Sequence, residues 1–227
     1  MDKKKQVKRI FDTISPKYDL LNHLLSAGID FYWRKKALKL TGVGPDTKLL
    51  DLACGTGDFA IAARKMGVAN ITGADLSLNM LKLFNKKTRW SRGNTLQTVA
   101  EQLPFKEKSF TNITVAFGVR NFYNIPEAFK LFYKILVDGG SATILEFRLP
   151  TNQLMKKIYL FYFNKILPVI GKIISKDKEA YTYLPESVNE FDTKINLRQF
   201  LLEAGFNQVA VHAMTFGIVQ VVIGTKY

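Results

Sequence analysis

From residue 45 onward, short apolar runs alternate with amphipathic segments. KLLDLA (48–53), NITGAD (70–75), LQTVA (96–100), FTNITVAF (110–117) and GSATILEF (140–147) have the length and residue types of strands. Between them, 58–66, 78–88 and 126–136 carry apolar residues at helical spacing. Such alternation predicts crossover units, a parallel sheet and right-handed connections. The C-terminal end differs. After the helical stretch NLRQFLLEAG (196–205), the runs NQVAVHAM and IVQVVIGTK are separated only by TFG. That gap suits an antiparallel hairpin, because parallel strands need a long crossover. The sheet is therefore expected to be mostly parallel, with an antiparallel strand near one edge.

Two regions stand outside the alternation. Residues 3–41 read as helical, with Val7, Ile10, Phe11 and Ile14 on one face, a break at Ser15-Pro16, and new helices in YDLLNHLLS and FYWRKKAL. Gly42, Gly44 and Pro45 close this segment, so 1–44 reads as an N-terminal helical cap. Residues 154–174, LMKKIYLFYFNKILPVIGKII, are about long enough to span a bilayer. Lys156, Lys157, Lys165 and Lys172 punctuate the run and Pro168 breaks it. A lysine at the membrane centre costs roughly 2.5–3.5 kcal/mol, so 150–195 is expected to be a helical insert over the sheet within a single domain, 1–227.

Composition narrows the setting. The one cysteine, Cys54, permits no disulfide within the chain and suits a reducing compartment. The charged start MDKKKQVKRIFD lacks the apolar core of a secretory signal, so a cytoplasmic chain is expected. The net charge of +14 favours an anionic membrane surface or nucleic acid, with a solvated lysine-rich surface as the plain alternative. The basic clusters are scattered at Lys3–Lys5, Arg34–Lys36, Lys86–Lys87, Lys156–Lys157 and Lys172–Lys178. No basic stripe with interleaved aromatics appears, which argues against nucleic acid.

Candidate chemistry sits in LLDLACGTGDFA (49–60). A glycine turn between a strand and a helix lets a ligand approach free backbone N–H groups. Gly55-Thr56-Gly57-Asp58-Phe59-Ala60 fits the dinucleotide fingerprint, and Asp75 follows about 20 residues on. Asp51 within the strand and Asp58 at the helix mouth would be hostile to a pyrophosphate. They suit a ligand with a cationic amine and a sulfonium, which points to S-adenosylmethionine (SAM). Helix capping and a solvated strand end are the competing explanation for these two carboxylates. Asp75, followed by Leu76, ends the next strand, where a carboxylate can accept both ribose hydroxyls. Val99 and Ala100, with Glu101 beside them, leave the third strand at the edge where open sheets bind ligands.

The blocks RIFDTISPKYDLLNHLLSAGIDFYWRK, LLDLACGTGDFA, AEQLPF, SFTNITVAFGVRNF and ILVDGG resemble the quinone-ring C-methyltransferases of menaquinone and ubiquinone biosynthesis. The resemblance runs from about residue 7 to the C-terminus, and its first block and FGVRN are far more specific than the glycine turn. It implies a Rossmann-like class I methyltransferase fold with strand order 3-2-1-4-5-7-6. It also implies SAM contacts at Thr56, Asp75, Val99, Ala100 and Ala116. Ala116 departs from a frequent serine, and Val99 from a commonly polar residue. The implied substrate is a polyprenylated quinol, demethylmenaquinol first and a benzoquinol as alternative. A peripheral meeting with the inner face of the membrane follows from that substrate. A basic RNA methyltransferase is the rival, but no nucleic-acid module is visible. Monomer and homo-oligomer both remain open.

Methylating a ring carbon requires positioning, water exclusion and a phenolate that pushes charge onto that carbon. Arg120, in GVRNF, is a poor base because guanidinium pKa values exceed about 12. It is expected instead to stabilise the phenolate, with Asn121 orienting a water or a ring oxygen. Tyr18 is implied to close the site, and Asp19 to orient Arg120 or act through water. His23 is a weaker candidate base, since a solvated helix histidine is commoner. His212 reads as structural. No Cys/His cluster has metal-ligand spacing.

Overall fold

The computed structural model describes residues 3–166 and 178–227. Pro168 and Lys172 lie outside the described residues. Three helices come first: α1 (Lys3–Ile14), a 3-10 turn at Ser15–Lys17, α2 (Tyr18–Leu25) and α3 (Ile29–Thr41). The alternating part runs β1 (Lys48–Leu52), α4 (Asp58–Lys65), β2 (Asn70–Asp75), α5 (Leu78–Lys87), β3 (Thr95–Gln97), β4 (Phe110–Ala116), α6 (Ile125–Ile135) and β5 (Leu136–Phe147). The insert contributes α7 (Gln153–Phe161), a π turn at Tyr162–Ile166 and α8 (Lys178–Lys194). Helix α9 (Leu197–Glu203) leads into β6 (Gln208–Met214) and β7 (Val219–Thr225).

The seven strands order as β3-β2-β1-β4-β5-β7-β6. All pairs are parallel except β5–β7 and β6–β7. The sheet and its terminal hairpin are thus as the sequence pattern predicts. Two boundaries differ. β3 stops at Gln97 rather than Ala100, because the Thr98 hydroxyl donates to the Gln102 carbonyl and the Gln102 amide to the Val99 carbonyl, turning the chain out of the sheet. β5 starts at Leu136, directly after α6, because Leu136 already pairs with Phe110 across a register shift.

Both faces of the sheet are buried, as parallel sheets require. Leu50, Leu52, Ile113, Val115 and Ile144 pack against Phe129 and Phe132 of α6 and Leu201 of α9. On the other face Leu49, Ile71, Leu145 and Val221 meet Trp33 and Leu38 of α3, Ala60 of α4 and Phe84 of α5. Neighbours such as Leu49 and Leu50 part to opposite faces because strand side chains alternate. Helix α3 is further tied to the sheet by Trp33 Nε1–H donating to Thr215 Oγ1 at 2.7 Å and by the hydroxyls of Thr41 and Thr143, 2.8 Å apart. The insert has its own small core of Leu149, Tyr159, Phe163 and Val188, resting on Phe147. Helix α8 touches α1 and the turn at Val119–Asn121.

Candidate active site

A cavity of about 750 Å³ opens where β1, β2 and β4 end, roofed by the N-terminal helices. Its walls include Val7, Phe11 and Tyr18 from the roof, Gly55 and Asp75 from the strand ends, and Leu76, Val99, Ala100, Ala116 and Asn121 around the rim. Two wall residues, Ala53 (φ 52°) and Phe117 (φ 56°), hold left-handed backbone that costs a non-glycine residue of order 1–3 kcal/mol. Strain of this kind gathers at binding sites, and here it borders the cavity.

Asp75 ends β2 with its carboxylate already fixed: Oδ2 accepts from the Gly55 amide and Oδ1 from the Ser77 amide, both at 2.8 Å. Loss of solvent pushes its pKa up to about 6 against those two hydrogen bonds. Asp51 is buried beneath the turn, where it accepts from Thr114 Oγ1 at 2.9 Å and the Ala60 amide at 3.1 Å. Burial raises it further, to about 7. The Tyr18 phenol is also raised by desolvation, so it keeps its proton at neutral pH and is a donor there. A cavity edged by the carboxylates of Asp75 and Glu101, with Asp51 buried beneath the turn, matches a cationic nucleoside better than a pyrophosphate.

Not every residue of the motif faces this space. Gly55 lines it, and a Cβ there would meet only Tyr18 Cε1 at 3.7 Å. Gly57 does not: with φ +87°, its missing Cβ would fall 2.1 Å from Phe84 Cδ2, so this glycine makes room for a core phenylalanine and not for a ligand. Thr56 and Asp58 join a polar knot. Thr56 Oγ1 donates to Asp19, and Lys87 Nζ reaches Thr56 Oγ1 at 2.9 Å, Asp58 Oδ1 at 2.8 Å and Asp19 Oδ2 at 2.6 Å. Asp19 is therefore held by Lys87 and Thr56 and does not orient Arg120. His23 bridges Asp30, at 2.9 Å, and Asp58, at 3.6 Å.

Arg120 does not line the cavity. Its guanidinium pairs with Glu146 Oε1 at 2.7 Å and donates to the Phe117 carbonyl at 2.6 Å, over the Phe147 ring. Glu146 is fully buried on β5 and also accepts from the Phe147 amide. Glu101, expected beside the ligand, does line the cavity, and its carboxylate also accepts from the amides of Tyr123 and Asn124 at 2.9 and 3.0 Å. Sequence reasoning missed Lys87, Glu146 and Arg34. Only the spacing of Asp30 and Arg34 in IDFYWR carried a signal, that of an i,i+4 ion pair. Among the described residues no group of His, Cys, Asp or Glu is arranged to hold a metal.

The strand order, the turn after β1 and the acidic end of β2 define the class I, SAM-dependent methyltransferase architecture. A solved SAM-dependent methyltransferase from Thermotoga maritima shares the fold, with TM-score 0.68 at 20% identity, covering 96% of this chain and 99% of its own. A putative one from Methanococcus maripaludis gives 0.65 at 18% identity, covering 95% and 93%. The chain belongs to the ubiE/COQ5 methyltransferase family, whose sequence profile matches residues 1–226. Similar relatives include a demethylmenaquinone methyltransferase of Chlorobaculum tepidum, 42% identical over 92% of this chain and 88% of that protein. A ubiquinone/menaquinone biosynthesis C-methyltransferase of Geotalea daltonii is 42% identical over 99% and 98%.

Proposed function

We propose that this methyltransferase moves the methyl group of SAM to a ring carbon of a polyprenylated quinol, demethylmenaquinol being the first candidate and a benzoquinol the alternative. The observation that carries this reading is the full-length family match, joined to a large cavity at the strand ends that Asp75 edges. Bound there, SAM supplies an electrophilic methyl group on a sulfonium leaving group. Asp75 holds the ribose hydroxyls, Leu76, Val99, Ala100 and Ala116 form the walls, and the backbone at Gly55 and Thr56 gives close approach. Asn121 orients a ring oxygen or a water, and Tyr18 Oη–H donates to the oxygen on which phenolate charge develops. Arg120, bonded to Glu146 and the Phe117 carbonyl, braces the turn that carries Asn121. Residues 1–44 act as the cap of the site and 150–195 as the insert over the substrate side. The test is incubation with methyl-labelled SAM and reduced naphthoquinol or benzoquinol substrates, with product mass as readout. One added methyl on the naphthoquinol is expected, and no methylation of either ring would overturn the reading.

Proton linkage gives a second check. A ribose or an ammonium partner requires ionised Asp75 and Asp51, whose carboxyls sit near 6 and 7 in the free protein. Binding should therefore release protons, and SAM affinity should rise roughly 60-fold between pH 5.5 and 7. The same raised values mean that the free fold binds more protons than the unfolded chain above the unfolded value of 3.8. Without ligand its stability falls as pH climbs from about 4 to about 7 and levels off above that. Calorimetry in two buffers of different ionisation enthalpy measures the released protons; flat affinity across this range would remove both carboxylates from the site. Asp75→Ala should cost about 1.5–3 kcal/mol of SAM affinity, and a folded variant with unchanged affinity would exclude the ribose role.

The quinol's tail lies in the bilayer, so the protein must meet that surface. No helix among the described residues is long and apolar enough to cross a membrane. Helix α7 instead exposes Leu154 (67%), Ile158 (52%) and Phe161 (62%) at helical spacing, with Lys156, Lys157 and Lys165 nearby in sequence. Apolar contact and lysine attraction of about 1 kcal/mol each, screened by salt, together favour reversible binding to anionic vesicles. Replacing Lys156, Lys157 and Lys165 by glutamine should weaken flotation with anionic vesicles by up to about 100-fold, sparing activity on a short-tailed soluble quinol. Wild-type protein that stays soluble with such vesicles at low salt would decide against membrane contact.

A further inference from the structure

The insert holds a cavity of its own, about 590 Å³, which shares no wall residue with the cofactor cavity. Leu149, Tyr159, Leu160 and Phe163 give it an apolar wall, and Pro185 and Asn189 reach it from α8. Its size falls within the roughly 300–1,000 Å³ of small-molecule sites. Phe163 belongs to the π turn at Tyr162–Ile166, a helix distortion that gathers at functional sites. A row of four rings leads from this chamber to the cofactor cavity. Tyr159 and Phe163 stack with centroids 4.1 Å apart, Phe163 meets Phe147 at 6.1 Å, and Phe147 meets Phe117 at 4.5 Å. Phe117 is itself a wall of the cofactor cavity. Tyr159 is 5% exposed, yet its hydroxyl has no hydrogen-bond partner among the described residues. Buried polar groups are nearly always paired, so this hydroxyl calls for an occupant that brings an acceptor. Loss of solvent raises the phenol pKa and keeps its proton in place, and the charges of Arg120 and Glu146 reach it.

We propose that this chamber receives the first isoprene units of the quinol's tail, and that Tyr159 donates to the ring oxygen beside the tail-bearing carbon. The proposal rests on the quinol reading above. A para-quinol carries two oxygens. One neighbours the carbon to be methylated and falls to Tyr18 and Asn121; the other neighbours the tail. A hydrocarbon alone would leave the Tyr159 hydroxyl unpaired, and a polar solute would leave the apolar wall without a match. A ring oxygen followed by an isoprenoid chain answers both. The row from Phe117 to Tyr159 gives that chain an unbroken aromatic wall, and Leu154, Ile158 and Phe161 carry the apolar path onto the exposed side of α7. The insert thereby measures the tail, and Tyr159 is a positioning residue that fixes which ring carbon meets the methyl group.

The test is steady-state methylation, in solution without lipid, of naphthoquinols bearing no isoprene unit, one or two. In wild type kcat/KM should rise about tenfold or more with each unit, the scale of filling an apolar pocket. Asn189 is exposed on α8 at the chamber, so Asn189→Trp fills the space without touching the core. In that variant the advantage of the two-unit quinol over the tailless one should shrink to within about threefold. Tyr159→Phe should lower kcat/KM about tenfold for all three quinols, the scale of one lost hydrogen bond. Its melting temperature should match or exceed that of wild type, because the free protein loses only an unpaired hydroxyl. A tail advantage that survives in Asn189→Trp, or equal losses there for tailed and tailless quinols, would overturn the chamber. Unchanged kinetics in Tyr159→Phe, or a lowered melting temperature, would overturn the role of the hydroxyl. Should Asn189→Trp not fold, the wild-type series decides: kcat/KM independent of the tail would overturn the proposal. Failure of wild type to methylate any of the three would instead overturn the quinol reading itself.

Discussion

Arg120→Met should destabilise the fold by about 3–5 kcal/mol, because it strands the fully buried carboxylate of Glu146 without its cationic partner. The cost comes less from the lost attraction than from the uncompensated buried charge. A double variant, Arg120→Met with Glu146→Leu, should therefore regain most of the loss, since an apolar pair of similar volume avoids the desolvation penalty. Turnover should fall in the single variant, by as much as the 10²–10³-fold typical of a lost oxyanion donor if the guanidinium reaches the phenolate. The double variant separates the two roles. If Arg120 braces the turn, restoring stability restores much of the turnover. If it stabilises the oxyanion directly, turnover stays low in a stable protein. Chemical denaturation and single-turnover methylation on the same preparations provide both numbers. An Arg120→Met protein as stable as wild type would remove the bracing role.

Gly57→Ala should cost about 2–5 kcal/mol. A side chain at φ +87° carries roughly 1–2 kcal/mol of left-handed strain, and forcing a methyl into the Phe84 ring adds about 1–3 kcal/mol of overpacking. Phe84 is fully buried and edge-on to Trp90, so it has little room to yield. In a Phe84→Leu background the added penalty of Gly57→Ala should shrink. Gly55→Ala gives the contrast. Its Cβ meets nothing closer than 3.7 Å, so the protein should stay folded with a cost near 1 kcal/mol, while the methyl narrows the cavity and weakens SAM binding. Thermal melts of the two alanine variants, with and without ligand, measure the difference. Equal destabilisation by both would show that conformation, not contact with Phe84, governs the turn.

The strands and the terminal hairpin were legible because each buried run carries its own pattern, whereas their order in the sheet came from the resemblance of the motif blocks to a known family. The acidic end of β2 was legible too, since a strand end and a ligand edge coincide in this architecture. What lies between distant elements was not. Lys87 looked like one more surface lysine, yet it gathers Asp19, Thr56 and Asp58 into one knot. Glu146 sat in an apolar run with nothing to show that its partner was Arg120. The two glycines of the turn looked alike, and only the position of Phe84 tells them apart. Partners of this kind depend on tertiary placement, which local periodicity does not encode.

The roof over the cavity is made from the first residues of the chain, yet its supports come from much later ones. Asp12 accepts from Ser77, Asp19 is held by Thr56 and Lys87, and Trp33 is bonded to Thr215 in the final hairpin. During synthesis the N-terminal helices emerge before any surface exists for their apolar faces, and α3 finds its last anchor only when β7 is nearly complete. Contacts so far apart in sequence form late and slowly. A chain without the β6–β7 hairpin thus keeps its glycine turn and Asp75 but loses the Trp33–Thr215 anchor, so the roof of the cofactor site depends on a contact 182 residues apart in sequence.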